Sequence, residues 1–239
     1  MRHDHRPYYL KKLYSRLQTL YVKHFLRPQF ESLGRNFNFM LPWNVEVFGG
    51  GVHIGNHVSI MASKDHKVRF SVWSNHDDVE GIFVGDACLI SPGVRISAAK
   101  RISIGNSCMI ASGAYITDSD WHGLYNRVET GTANPVTISE NVWLGDNAMV
   151  CKGVTIGKNS IIGARSVVLH DIPENVVAAG NPAKPIRELD PDEPTFTRLD
   201  WYADADALNH GLELIDKSIL EGNTLRGWLR YLFFPRRGD

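Results

Sequence analysis

Aliphatic residues recur at every sixth position along much of the chain, and this period predicts the fold. The longest uninterrupted series is Ile138, Leu144, Val150, Ile156, Ile162 and Val168. Four places after each of the first five stands a small or β-branched residue: Val142, Ala148, Val154, Ser160 and Ser166. A period of six fits neither an amphipathic helix, which repeats every 3.6 residues, nor an alternating strand, which repeats every 2. It is typical of a coil of short parallel strands, in which the aliphatic side chains point inward and Gly or Asn occupies the turns.

The same spacing occurs earlier in the chain, and its interruptions predict loops. The earlier series are Ile54 and Ile60, then Val84, Ile90 and Ile96, then Ile104, Ile110 and Ile116. The gap between Ile96 and Ile104 predicts a bulge over 98–101, and the longer gap before Ile138 predicts a projecting loop over 117–135. A further break predicts a loop over 62–81. Polar loops on a rigid scaffold commonly carry function.

The two ends of the chain have a helical pattern, so we expect a coil over 45–187 between a lead-in, 1–44, and a helical extension, 188–239. The N-terminal helix has one apolar face and is ended by Pro28. Its apolar residues are Leu10, Leu13, Tyr14, Leu17, Leu20, Tyr21 and Phe25. The second helix carries Leu208, Leu212, Ile215 and Ile219, and the segment TLRGWLRYLFFPRRGD follows it. Such helices cap a coil, pack between subunits, or bind an anionic membrane surface. The first two uses are the commoner.

Composition narrows the class of protein. Lys and Arg number 26, as do Asp and Glu, so the overall charge gives no reason to expect a nucleic-acid partner. The three cysteines show no CxxC spacing, which argues against a disulfide framework or a zinc knuckle. Cys88 and Cys108 fall at the small-residue position of the repeat and are expected in the core. No apolar run approaches the ~20 residues of a membrane span. We therefore expect a cytoplasmic protein, with the inner face of the membrane as an alternative location.

Residues 45–187 resemble the hexapeptide-repeat acetyltransferases of the xenobiotic, galactoside and maltose type. The resemblance is carried by the repeats, by PVTISENVWLGDNAMVCKGVTIG over 135–157, and by GARSVVLHDIPENVVAAGNPAKPIRE over 163–188. It implies a left-handed parallel β-helix with three strands per turn. It also implies acetyl-CoA as co-substrate and a homotrimer with active sites between subunits.

The resemblance assigns a catalytic role to the loop that contains ITDSDWHG, 116–123. His122 stands where the family has a histidine that removes the proton from the acceptor hydroxyl or amine. A neutral imidazole suits this role because its unperturbed pKa is near ~6.5. Asp118 or Asp120 would orient the ring by accepting from its other nitrogen, as in a triad. The sequence leaves open which of the two does so, and slightly favours Asp120.

The resemblance also implies a donor site near the end of the coil. The residues matched to cofactor-binding positions are Trp143, Asp146, Ala164, His170, Lys184 and Arg187. Cations suit the nucleotide phosphates, and main-chain groups suit the amides of pantetheine. His170 departs from the lysine that many members have there. In the loop over 62–81, His66 and His76 are the candidates for the acceptor side.

A zinc site must be weighed because γ-type carbonic anhydrases share the coil. At two positions where those enzymes place histidine, this chain has Asp146 and Cys151. A three-histidine zinc site therefore cannot form, and no metal is expected.

The function predicted from the sequence is direct acetyl transfer from acetyl-CoA to a hydroxyl or amine of a small-molecule or saccharide acceptor. Two alternatives remain open at this point. One is transfer of a longer acyl chain to a lipid or a surface-polysaccharide precursor, with peripheral membrane contact through the terminal helices. The other is a non-catalytic trimeric scaffold.

Overall fold

The computed structural model describes residues 3–73 and 79–237. From residue 32 to residue 168 the chain visits three parallel sheets in strict rotation, so that each turn adds one strand to each sheet. We call these sheets A, B and C. The result is a left-handed parallel β-helix, a triangular prism whose three faces are the three sheets.

The strands are short and are joined by tight turns. Sheet A contains β1 (Ser32–Leu33), β4 (Val52–Ile54), β7 (Gly81–Val84), β10 (Arg101–Ile104), β13 (Val136–Ile138) and β16 (Thr155–Ile156). Sheet B contains β2 (Asn38–Met40), β5 (Ser59–Met61), β8 (Leu89–Ile90), β11 (Met109–Ile110), β14 (Trp143–Leu144), β17 (Ile161–Ile162), β19 (Val176–Gly180) and the antiparallel β20 (Ala183–Glu188). Sheet C contains β3 (Val45–Phe48), β6 (Val68–Val72), β9 (Arg95–Ala98), β12 (Tyr115–Thr117), β15 (Met149–Val150) and β18 (Val167–Val168).

The six-residue period describes the core. All six aliphatic residues from Ile138 to Val168 are at most 1% exposed. Successive turns place them in register, as in the column Ile116, Val150 and Val168 of sheet C. Cys88 and Cys108 are fully buried, as predicted. Continuous burial of apolar side chains along the axis is what stabilises such a stack.

Two predicted boundaries were wrong. The coil begins at β1 rather than near residue 45, because Leu33 and Phe39 continue the six-residue spacing from Val45 and are buried. The predicted loop over 62–81 contains strand β6, because Phe70 is fully buried in the core. Among the described residues over 62–80, those on either side of β6 lie outside the strands.

Most of the insertions leave the prism at one edge. We call the turns from sheet C to sheet A edge CA, and the turns from sheet B to sheet C edge BC. The bulge after β9 and the loop over 118–135 after β12 depart from edge CA, and the described residues between β6 and β7 lie at the same edge. One edge of the scaffold therefore carries all three, whereas edge BC carries the shorter insertion at 62–67.

Helices lie outside the strands. They are α1 (Tyr8–Tyr21), α2 (Arg198–Trp201), α3 (Ala205–Ile219) and α4 (Leu225–Phe233), with short 3-10 or π turns at Val22–Leu26, Arg27–Gln29 and Pro42–Asn44. Val22, Leu26 and Phe30 are buried in the same core as the first coil, so the end of the N-terminal helix caps the prism. Among the helices of residues 3–73 and 79–237, none is long and apolar enough to span a bilayer.

Ion pairs join α1 to α3. The Glu213 carboxylate accepts from the Tyr8 hydroxyl at 2.5 Å and from the Lys12 ammonium at 2.9 Å. The Lys11 ammonium donates to Asp216 at 2.7 Å. The hydrogen bond from Tyr8, followed by those from lysines, lowers the pKa of Glu213 to about 2. The two ends of the chain therefore form one layer of helices.

Candidate active site

The loop over 118–135 is an ordered hairpin. Its stems are joined by an antiparallel bridge between Ser119 and Ala133 and by the Asp120 N–H, which donates to the Thr132 carbonyl at 3.3 Å. Nearer the tip, the Gly123 N–H donates to the Glu129 carbonyl at 3.0 Å. The tip itself is uncovered and carries Leu124, Tyr125 and Val128, which are 77%, 99% and 94% exposed. We call this segment the His122 loop.

His122 is exposed in this loop, and a main-chain carbonyl orients its ring. The Nδ1 atom lies 3.0 Å from the carbonyl oxygen of Arg127. A carbonyl only accepts, so in the neutral ring Nδ1 carries the hydrogen and Nε2 keeps its lone pair. The second ring nitrogen is then the one able to take a proton from a bound molecule.

Neither predicted carboxylate contacts the His122 ring, which corrects the expected triad. Asp118 is fully buried, and its two oxygens accept from the main-chain N–H groups of Ala99, Lys100 and Arg101 at 2.7, 2.8 and 2.7 Å. The role of Asp118 in this geometry is to close the bulge after β9. Asp120 is bound instead to Lys152.

Lys152 is the residue that sequence reasoning missed. Its ammonium donates to the Asp120 carboxylate and to the Thr132 hydroxyl, which stand on the two stems of the His122 loop. The His122 N–H in turn donates to the Asp120 carbonyl at 2.7 Å. Since Val150 pairs with Ile116, Lys152 and Asp118 occupy matching positions at edge CA. In the sequence, the six-residue spacing that makes Ile116 and Val150 equivalent positions was the signal that could have indicated this contact.

We predict that Lys152→Met loosens the His122 loop without unfolding the coil. The ion pair is partly exposed, with 23% and 42% of the two side chains accessible, so the free energy of unfolding should change by less than about 1 kcal/mol. Turnover should fall about tenfold, because misplacing a catalytic group is costly. Steady-state kinetics and thermal unfolding of the variant measure both quantities. Unchanged turnover would remove Lys152 from any positioning role.

Several predicted donor-site residues lie together on sheet B. The register places Trp143 beside Ile161, Ile161 beside Val177, and Val177 beside Arg187. With strands about 4.8 Å apart, the backbone of this column spans roughly 14 Å from Trp143 to Arg187. Lys184 lies on the same terminal hairpin, opposite Ala179. The sheet thus ends in two exposed cations beyond an exposed aromatic ring.

Asp146 and Ala164 lie next to this column, in successive turns of edge BC. Both are exposed, and in the described part of the chain their main-chain N–H groups have no hydrogen-bond partner. Gly145 lets these turns stack closely, since a Cβ there would stand 2.6 Å from the Ala164 nitrogen. The edge therefore offers a row of main-chain donors to an extended molecule.

The structure does not bring all of the predicted residues together. His170 lies on edge CA, two places after Val168, in line with Lys152 and away from Lys184. His66 lies on edge BC, where its Nδ1 is 3.0 Å from the Asp65 carboxylate. His76 lies outside the described residues. In one chain, sheet C separates the His122 loop from Asp146 and Ala164.

Within residues 3–73 and 79–237 there is no group of three or more His, Cys, Asp or Glu side chains able to hold a metal ion. Cys151, beside the base of the His122 loop, is half-buried. Burial, and secondarily the charge of Asp120, raises the pKa of its thiol.

Comparisons with known proteins agree with this geometry. A family model described as bacterial transferase hexapeptide (six repeats) matches residues 135–170. The galactoside O-acetyltransferase of Escherichia coli is 30% identical over 158 residues, which cover 66% of this chain and 64% of that protein. YJL218W of Saccharomyces cerevisiae, provisionally named an acetyltransferase, is 42% identical over 118 residues, which cover 48% of this chain and 60% of the relative.

Among solved structures, AntD, an N-acyltransferase from Bacillus cereus, superposes with a TM-score of 0.53 at 17% identity, covering 81% of this chain and 96% of AntD. This likeness concerns the fold. The chain spans less than two thirds of the length of the two curated relatives above. The repeats, the three-sided coil and these relatives together make the chain similar to the hexapeptide-repeat acetyltransferases.

Proposed function

We propose that the protein is an acetyl-CoA-dependent acetyltransferase that passes the acetyl group directly to an acceptor hydroxyl or amine. The observation that carries this proposal is the orientation of His122. Its Nδ1 is held 3.0 Å from the Arg127 carbonyl, and its Nε2 is thereby poised as a base in an exposed loop.

The reaction follows from that orientation. Nε2 of His122 takes the proton from the acceptor as the acceptor's oxygen or nitrogen attacks the thioester carbonyl carbon. The carbon–sulfur bond then breaks, and the CoA sulfur leaves with the bonding electron pair and receives the proton from the imidazolium. A main-chain N–H at the coil edge would stabilise the developing oxyanion, as such donors do in acyl transfer.

Direct transfer is favoured over an acyl-enzyme. The cysteine nearest the His122 loop is Cys151, and its raised pKa keeps it as a thiol near neutral pH. Thiols are poor nucleophiles compared with thiolates. Within the described residues, the Cys151 thiol forms no hydrogen bond with a histidine.

Two copies of the chain are needed to complete the site. The donor-side groups Trp143, Asp146 and Ala164 lie on sheet B and edge BC, whereas the His122 loop projects from edge CA. One prism face, roughly 15–20 Å wide, separates these two edges. A closed ring joins two different surfaces of neighbouring subunits, and we propose that edge CA of one subunit faces edge BC of the next. We therefore propose a homotrimer, in which the exposed tip residues of the loop contact the neighbouring subunit.

The acceptor is proposed to be a small molecule or a saccharide. A relative named as a galactoside O-acetyltransferase supports the saccharide class. His66 stays a prediction for the acceptor side. It lies on edge BC, the edge that a neighbour's His122 loop would face in such a ring.

Acetyl-CoA should raise the thermal midpoint of the purified protein. A ligand that binds only the folded state adds about 2.7 kcal/mol of stability at 100 times its Kd. The double variant Lys184→Ala with Arg187→Ala should lose most of this shift, because the two cations are the proposed partners of the nucleotide phosphates. The control is Arg16→Ala with Lys23→Ala, which removes two exposed charges at the N-terminal helix and should keep the shift.

Release of CoA thiol in an acceptor screen then measures the transfer itself. If acetyl-CoA still raises the thermal midpoint of the Lys184 and Arg187 double variant, the donor site lies elsewhere on the protein. No shift in the parent protein would support a scaffold role instead.

A further inference from the structure

The backbone of the His122 loop turns sharply at Trp121, the residue before the histidine. The φ angle of Trp121 is +61°, in the left-handed region. The His122 N–H donates to the Asp120 carbonyl, two residues earlier, at 2.7 Å. Such a hydrogen bond across a residue with positive φ defines the left-handed form of the γ-turn, which is rare and strained. The chain therefore adopts an unfavourable conformation directly beside the proposed base.

Tryptophan is poorly suited to this conformation. Within the described residues, other left-handed positions include Asn141, Asn147 and Asn159, which occupy turns of the coil. Asparagine tolerates a positive φ, whereas a bulky side chain there is an outlier. The unstrained alternative is the inverse γ-turn, with φ of about −75°, which turns the chain with the opposite hand. Strain of this kind persists only where surrounding contacts impose it, and it is concentrated at functional sites.

The indole of Trp121 makes such contacts. Its Nε1–H donates to the Thr117 hydroxyl at 3.1 Å and to the Tyr115 hydroxyl at 3.3 Å. Both acceptors belong to β12 and lie on the outer face of sheet C, since Ile116 between them is buried in the core. The main-chain N–H of Trp121 also donates to the Ser119 hydroxyl at 3.1 Å. The corner of the turn is thus tied to the rigid coil.

The acceptors of the indole are themselves held in place. The Arg95 guanidinium of the neighbouring strand β9 lies 4.3 Å from the centroid of the Tyr115 ring. Thr117 is only 5% exposed, although it lies on the outer face of its sheet. An indole N–H that is removed from water requires a hydrogen-bond partner. Loss of this N–H should therefore release the turn from the coil.

Gly131, on the second stem of the loop, packs against the same turn. A Cβ added at Gly131 would stand 2.5 Å from the His122 carbonyl oxygen and 2.9 Å from the Asp120 Cβ. Both distances are shorter than van der Waals contact, so a larger residue would displace the turn. The absence of a side chain at Gly131 lets the two stems approach closely beside His122.

We propose that Trp121 is a positioning residue for His122: its indole hydrogen bonds to β12 hold the left-handed γ-turn, and the hand of this turn aims the imidazole. Relaxation of Trp121 to a negative φ would reverse the turn and direct the imidazole elsewhere. The inference rests on the proposed function, because it takes His122 as the base.

Two substitutions of Trp121 separate the conformation of the turn from simple packing. Trp121→Phe keeps an aromatic ring but loses the N–H, and it should lower kcat about tenfold to a hundredfold. Its KM for acetyl-CoA and its acetyl-CoA thermal shift should stay near those of the parent. Trp121→Asn loses the ring but adopts a positive φ readily, so it should retain more kcat than Trp121→Phe. A packing role would give the reverse order.

A double-mutant cycle tests the hydrogen bond to Tyr115. Tyr115→Phe alone should lower kcat less than Trp121→Phe, because Thr117 remains as an acceptor. Added to Trp121→Phe, it should lower kcat no further, because the N–H is already absent. Full additivity of the two losses would contradict the anchor.

Gly131→Ala displaces the same turn without changing the indole, and it should also lower kcat with little effect on the KM for acetyl-CoA. Its matched control is Gly50→Ala, because a Cβ at Gly50 meets nothing within 4 Å. The control for Trp121→Phe is Trp228→Phe, which alters a half-buried indole on α4. Both controls should keep the kcat of the parent.

The outcomes distinguish this inference from the proposed function. If His122→Ala is inactive and Trp121→Phe keeps the kcat of the parent, Trp121 has no positioning role and the proposed function stands. If His122→Ala keeps its kcat, the proposed function fails, and hydrogen exchange of peptides over 117–132 then reports the turn alone. Faster exchange in Trp121→Phe would support the anchor, and unchanged exchange would overturn it.

Discussion

Replacing His122 with alanine is expected to lower kcat by about 10²- to 10⁴-fold while leaving acetyl-CoA affinity nearly unchanged. The reason is that Nε2 is the proposed proton acceptor, and no other imidazole is placed on the His122 loop. The donor-side groups lie on sheet B and edge BC, so the substitution does not touch them. Thiol release under saturating acetyl-CoA measures kcat, and the acetyl-CoA thermal shift reports the affinity.

The control for this variant is His210→Ala. His210 is an exposed histidine on α3, outside the proposed site, and its loss should leave kcat within a few-fold of the parent. Activity of His122→Ala within the same range would end the assignment of His122 as the base. Loss of activity together with loss of the thermal shift would instead indicate a damaged donor site.

The second large effect is expected from Asp118→Ala, and it concerns stability. The substitution removes a fully buried carboxylate and leaves the part-buried main-chain N–H groups of Ala99, Lys100 and Arg101 without their acceptor. An unsatisfied buried donor costs about 1–3 kcal/mol, so the free energy of unfolding should fall by about 3 kcal/mol or more. That is a large share of the ~5–15 kcal/mol typical of folded proteins. Urea unfolding followed by circular dichroism measures the loss.

Two further variants serve as comparisons for the loss of stability in Asp118→Ala. Asp118→Asn keeps one carbonyl acceptor and should lose less stability than the alanine variant. In Asp171→Ala, a single exposed contact is removed, from the Thr155 N–H at 2.7 Å, and the cost should stay near 1 kcal/mol. A small effect of Asp118→Ala, matching that of Asp171→Ala, would show that the bulge does not rely on this carboxylate.

Much of the fold could be read from the chain because its core repeats. Each inward position faces the same environment as the position one turn earlier, so a single spacing of six describes them all. The predicted boundaries of the coil were wrong where a phenylalanine, instead of an aliphatic residue, occupies an inward position of the repeat. Phe39 and Phe70 occupy aliphatic positions, and both strands were therefore assigned to a lead-in or a loop.

The candidate site was only partly predictable. His122, Trp143 and Arg187 were identified because they stand at positions that match functional residues of the family that the chain resembles. The register of sheet B places Trp143 and Arg187 in one column. The expected partnership of His122 with a carboxylate failed, because neighbours in sequence need not be neighbours on a hairpin. Asp118 and Asp120 stand four and two residues from His122, yet their carboxylates bind the main-chain N–H groups of the bulge and the Lys152 ammonium instead.

The sequence by itself determined the coil, its inward positions and the loops that interrupt it, since these depend on a local period of apolar residues. The tertiary structure alone decided which side chains meet. Lys152 reaches Asp120 across 32 residues because stacked turns bring distant positions to one edge. The same stacking puts the His122 loop and the donor-side residues on different edges. Such contacts depend on register and edge geometry, which no linear pattern records.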